Sequence, residues 1–144
     1  MKSYFAILFL ALFAVACDTT EEIVEEKWGD GTPKRVVVYQ PVDTGKVMLR
    51  EKGYYEGGQV QIEGSYDASG ARQGLWKFWY KNGQLWTEGE YVGGSRQGRK
   101  VVFWENGKKR YEGTFEDDVK VGVWKFFDVQ GNEVKQLDYS ATAN

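Results

Sequence analysis

Trp76, Phe78 and Tyr80 alternate with Lys77 and Trp79, and this period of two predicts a β-strand. The pattern returns twice. Val102 and Trp104 alternate with Val101 and Phe103, and Trp124 and Phe126 flank Lys125 before Phe127. No helical period fits these segments. Glycines punctuate them in step. Gly74, Gly98 and Gly122 open the three runs, 24 residues apart. Gly83, Gly107 and Gly131 close the runs, and Gly89 and Gly113 fall inside the segments that follow. A fixed period of this size marks an array of one small unit rather than a globule with a unique cleft.

The unit extends upstream. Gly83-Gln-Leu-Trp-Thr-Glu-Gly-Glu-Tyr91 returns as Gly107-Lys-Lys-Arg-Tyr-Glu-Gly-Thr-Phe115 and, earlier, as Gly58-Gln-Val-Gln-Ile-Glu-Gly-Ser-Tyr66. A degenerate copy begins near Trp28, with an irregular loop across Gln40 to Lys52. Each unit reads as a β-hairpin. Asn82-Gly83 and Asn106-Gly107 are hairpin dipeptides suited to a two-residue type I′ turn. With that turn, Trp79 faces Trp86, Phe78 faces Thr87, Lys77 faces Glu88 and Trp76 faces Gly89. Trp76, Phe78, Tyr80 and Tyr91 then share one face, and Trp79 and Trp86 the other. The expected fold class is all-β: an antiparallel meander of repeated hairpins in a single elongated, twisted sheet. Its two end strands are left unpaired, which invites self-association through the sheet edges unless they are protected. Val36 to Tyr39 and Gln136 to Tyr139 are the expected edges.

Composition agrees. Aromatics make up 16% of the 144 residues, with 18 Gly and only 2 Pro. A single sheet buries little surface, so large rings must take the place of aliphatic layers. The chain has no His. That removes the commonest general base, the Ser-His-Asp arrangement and most zinc sites. No phosphate-binding glycine loop occurs, and Asp117-Asp118 reads as a solvated loop. We therefore expect no catalytic residues, no metal and no cofactor. Lys108-Lys109-Arg110 alternates between strand faces, and the formal net charge is -2, so nucleic acid is not an expected partner.

The N-terminus reads as an address. Met1-Lys2 precedes an uncharged apolar run from Tyr4 to Ala16, the length of a secretory signal core rather than a membrane span. Cys17, the only cysteine, follows Ala14-Val15-Ala16. This resembles the lipobox of bacterial lipoproteins, which implies lipidation of Cys17. Asp18, Glu21, Glu22, Glu25 and Glu26 come next without a base. The expected organisation is a signal peptide over 1–16, an acidic tether over 17–27, a repeat domain over 28–139 and a tail over 140–144. The expected location is the bacterial cell envelope, lipid-anchored at the outer membrane and facing either the periplasm or the outside.

The unit Gly-x-Trp-x-x-aromatic-x-x-x-Gly, followed by Glu-Gly-x-aromatic, resembles the bacterial variant of the MORN repeat. The resemblance covers Gly74 to Tyr91, Gly98 to Phe115, Gly122 to about Tyr139 and part of Tyr54 to Tyr66. Two departures stand out. Gln136-Leu137 replaces Glu-Gly in the last copy, and Lys100 stands where the other copies have Trp76 and Trp124. The resemblance implies an elongated β-meander, membrane association and protein scaffolding, and many bacterial chains of this type carry an antitoxin label. It supplies no catalytic residues.

The leading expectation is a lipid-anchored, non-catalytic envelope module whose repeated sheet binds a protein partner. Trp79, Trp86 and Phe103 are its candidate binding residues. A carbohydrate-binding surface lipoprotein, stacking glycans on those rings, is one alternative. A toxin-neutralising protein is another.

Overall fold

The computed structural model of the protein describes residues 19–140. Cys17, the signal segment and residues 141–144 lie outside that range. The described residues form one antiparallel sheet of ten strands in strict chain order. They are β1 (Glu21–Lys27), β2 (Pro33–Val42), β3 (Gly45–Tyr54), β4 (Val60–Tyr66), β5 (Arg72–Trp79), β6 (Leu85–Val92), β7 (Ser95–Phe103), β8 (Lys109–Glu116), β9 (Val119–Phe127) and β10 (Glu133–Asp138). The all-β meander of hairpins read from the sequence is the observed fold.

Two kinds of turn join its strands. Inside each repeat, the strands β5 and β6 are joined by a three-residue loop. The Gly83 N–H donates to Tyr80 O at 3.0 Å, and the Tyr80 N–H donates to Gln84 O at 2.9 Å. Only Gly83 has a positive φ there, +86°. This is a turn ending in a left-handed glycine and a bulge, not the expected two-residue turn on Asn82-Gly83. The Asn82 side chain accounts for the choice. Its Oδ1 accepts from the Gln84 N–H at 2.9 Å, and its Nδ2 donates to Glu105 O, in the next loop, at 3.1 Å. Two-residue turns lie between the later repeats instead, whereas β4 and β5 are joined by the three-residue kind, with the Gly70 N–H donating to Asp67 O at 3.0 Å. Gly93-Gly94 and Asp117-Asp118 have positive φ at both positions.

The bulge changes the register only at its own end. Trp76↔Gly89, Lys77↔Glu88 and Phe78↔Thr87 pair as expected, but Trp79 pairs with Leu85. Trp86 consequently moves to the face of Phe78 and Tyr80, with ring centroids at 6.2 and 5.9 Å. It does not share a face with Trp79.

Both ends of the hairpins are tied to the next repeat. At the loop end, Tyr55 Oη donates to Trp79 O at 2.8 Å and Tyr80 Oη to Phe103 O at 2.9 Å. Trp28 Nε1 and Trp104 Nε1 repeat the contact on Tyr54 O and Phe127 O. At the other end, the Gly94 and Asp118 amides donate to Arg72 O and Arg96 O. The side chains of Gln73 and Gln97 accept from the Gly93 and Asp117 amides. The Arg-Gln-Gly triplets at 72–74 and 96–98 are therefore docking points for the turn that follows.

The core is thin and aromatic. Trp76 is 0% exposed and Trp124 1%, both on the same face as Phe115 and Val102. Each indole lies over a glycine of the preceding repeat, Trp76 over Gly64 and Trp124 over Gly113. The expected pairing of Trp76 with Gly89 holds along the backbone, but the ring covers Gly64, on the strand at its other side.

Three N-terminal expectations change. The irregular loop expected across Gln40 to Lys52 is instead the end of β2 and most of β3, paired through Gln40↔Val47, Pro41↔Lys46 and Val42↔Gly45. Residues 21–27 are not a free tether: they form β1, paired with β2 through Glu21↔Tyr39, Glu22↔Val38, Ile23↔Val37 and Val24↔Val36. Ile23 and Val24 suffice because β2 presents Val36, Val37 and Val38 as a ready template. Val36 to Tyr39 is accordingly an interior strand, and the edges are β1 and β10.

A candidate binding face

Strand alternation divides the side chains between two faces. On one face of β5–β10 stand Trp76, Phe78, Tyr91, Val102, Tyr111, Phe115, Trp124 and Phe126. Their rings touch in series: Tyr66–Trp76, Trp76–Tyr91, Phe115–Trp124, Tyr111–Trp124, Tyr111–Phe126 and Trp124–Tyr139, at centroid distances of 5.0 to 6.4 Å.

Cations cover these rings. Arg72 lies 4.1 Å from the Trp76 centroid and 5.5 Å from that of Tyr91. Arg96 lies 4.2 Å from Phe115, and Lys120 lies 4.6 Å from Trp124. Arg72, Arg96 and Lys120 recur with the 24-residue period. Lys46 over Tyr39, at 4.1 Å, gives the same contact on the first half of the sheet. Contacts of this kind are worth about 0.5–1 kcal/mol each where exposed. Sequence reading missed this ladder. The period was visible, but placing the cations over rings required the pairing between repeats.

The strand carboxylates of β5–β10 are Glu88, Glu90, Glu112, Glu116, Glu133 and Asp138, and alternation puts all six on the opposite face. Two of them meet bases there. Glu112 pairs with Arg99 at 2.7 Å and Lys109 at 3.0 Å, and Lys125 with Glu133 at 3.4 Å. The hydrogen bond from Arg99 holds the Glu112 carboxyl below its usual value, against partial burial, and Lys109 adds to it. On the aromatic face, Arg96 is held by Asp118 of the neighbouring turn at 2.7 Å. Arg72, Lys100, Arg110 and Lys120 form no ion pair among the described residues. The strand acids of β5–β10 thus lie on one face, and four cations without an ion pair lie on the other.

The three candidates read from the sequence do not form one patch. Trp86 is 43% exposed on the aromatic face. Trp79 and Phe103 point to the charged face at the loop end, both part-buried. Their backbone carbonyls serve the inter-repeat ladder. The glycines have structural work throughout. Gly83, Gly107 and Gly131 end turns in the left-handed region, as do Gly74, Gly98 and Gly122 at the bulges that open each unit.

Residues 49–68, 72–92 and 96–117 match the MORN repeat variant. Each of these MORN-variant matches falls on one hairpin, and the last two coincide with β5–β6 and β7–β8. The hairpin β9–β10 lies outside the matches yet repeats their geometry, down to the indole of Trp124 over Gly113. No curated protein matches the chain significantly. Among the described residues, no group of three or more His, Cys, Asp or Glu is placed to hold a metal ion.

Proposed function

We propose that this chain is a non-catalytic binding module whose aromatic face engages an acidic protein partner in the bacterial cell envelope. The single observation that carries the reading is the charge imbalance between faces. Four cations on the aromatic face lack carboxylate partners, while the six strand acids of β5–β10 all lie on the other side. The MORN-variant repeats support the coarser part, a repeat-built surface for binding. Lipid on Cys17 would hold the sheet at a membrane, and that part rests on the sequence alone.

Two experiments test this. Wild-type chain and an Arg72→Gln/Lys120→Gln variant are each used to capture proteins from the native envelope. The reading expects a partner recovered by the wild type and lost from the variant, with recovery falling as salt rises. A partner recovered equally by both would overturn it. For the anchor, cells are labelled with an alkyne fatty acid. Label on the wild type and none on Cys17→Ser is expected, and an unlabelled wild type would remove the anchor.

A further inference from the structure

Trp76, Lys100 and Trp124 occupy the same position in successive repeats. The two indoles fill the space over Gly64 and Gly113. Lys100 does this only in part. Its Cδ lies 2.8 Å from where a Cβ on Gly89 would stand, so its aliphatic stem covers the glycine. The rest of the indole's place is open, as a cleft of about 280 Å³.

Phe78, Trp86, Tyr91, Val102 and Tyr111 line this cleft, and Lys100 and Arg110 are its cations. The Arg110 guanidinium rests on the Trp104 ring at 4.5 Å. The one other polar side chain besides the tyrosines, Thr87, already donates its hydroxyl hydrogen to Val101 O at 2.8 Å. Burial works against the charged form of Lys100, Arg96 and Arg72 add repulsion, and Glu88 offsets only part of this. A tryptophan has thus been exchanged for a poorly solvated cation with no ion pair. An anion brought to such a cation is favoured by charge and hydrogen bonding.

We propose that the Lys100 cleft receives one carboxylate from the partner, an Asp or Glu side chain with an apolar residue beside it. The carboxylate meets Lys100 and Arg110, and the apolar neighbour covers the rings. An acidic sugar fits less well, because its hydroxyls would find ring faces instead of an array of polar partners. The proposal rests on the acidic-partner reading above and names the contact at its centre.

The test uses the purified full chain in detergent with isotope-labelled lysine, and follows the side-chain amine of Lys100 by NMR. The signal is assigned by its loss in Lys100→Gln. The probes are 3-phenylpropionate, glucuronate and inorganic phosphate. The proposal expects 3-phenylpropionate to move the Lys100 titration midpoint up by roughly one pH unit. It expects the other two to need roughly tenfold higher concentrations for the same shift. No shift with 3-phenylpropionate, or a tighter response to glucuronate or phosphate, would overturn it. Lys100→Trp restores the residue of the neighbouring repeats over bare Gly89, and should lower partner capture by roughly tenfold or more. If Lys100→Trp captures the partner as well as wild type while Arg72→Gln/Lys120→Gln does not, the cleft proposal fails and the binding face stands. If neither variant loses capture, both fail.

Discussion

The indole of Trp76 lies so close to the Cα of Gly64 that a methyl group there would sit 2.1 Å from the ring. Neither residue belongs to the other's hairpin. The contact joins β5 to the preceding repeat, and Trp124 makes it again over Gly113 at 2.2 Å. A one-dimensional array gains its cooperativity from such interfaces between neighbours.

Alanine at these glycines should separate the repeats. Gly64→Ala and Gly113→Ala force a rigid, fully buried indole to move, and each should cost about 3 kcal/mol. Gly89→Ala meets the flexible Lys100 stem at 2.8 Å and should cost about 1 kcal/mol. Urea unfolding of the three variants measures the difference. Equal losses at Gly64 and Gly89 would contradict the packing described.

Removing the hydroxyl of Tyr80 deletes its bond to Phe103 O without changing the ring. Tyr80→Phe should lower stability by about 1 kcal/mol. It should also raise amide exchange in the next loop, which Asn82 touches at Glu105 O. Hydrogen exchange by mass spectrometry reads both effects, and unchanged protection across residues 104–108 would speak against an inter-repeat ladder.

Lys100 should give the protein a distinctive alkaline limb. Burial, with help from Arg96 and Arg72, holds its amine below the ordinary 10.5. Between the lowered folded value and the ordinary one, the unfolded chain binds more protons, so stability rises with pH. The charge costs the folded state most below that window and nothing above it. Lys100→Met removes the charge, so its stability relative to wild type should be greatest near neutrality and shrink as pH approaches 10.5. Urea midpoints for both chains at a series of pH values test this; a pH-independent difference would contradict the burial of Lys100.

The strands and most of the register were legible in the sequence because the period of two and the 24-residue glycine ladder are local signals. Trp76↔Gly89 follows from counting back from a turn. The position of Trp86 does not, because Asn82-Gly83 is compatible with a two-residue and a three-residue loop. The choice is made by an Asn82 contact with the following repeat. The cations of the binding face were hidden for a related reason. Arg72 and Trp76 are near in sequence, but Arg96 reaches Phe115 only through the pairing of β7 with β8. Residues 21–27 read as a tether because they hold too few large apolar residues to fold alone, but a strand's stability also depends on its template, here the valines of β2.

Photo-crosslinking in living cells tests the assignment of the binding face most directly. A photoreactive phenylalanine analogue is placed at Trp86 on the aromatic face or at Val123 on the charged face. These positions are 43% and 49% exposed, so access is matched and only the face differs. The account predicts a discrete protein adduct from position 86 that disappears in the Arg72→Gln/Lys120→Gln background, and no adduct from position 123. An adduct from position 123 alone would contradict it.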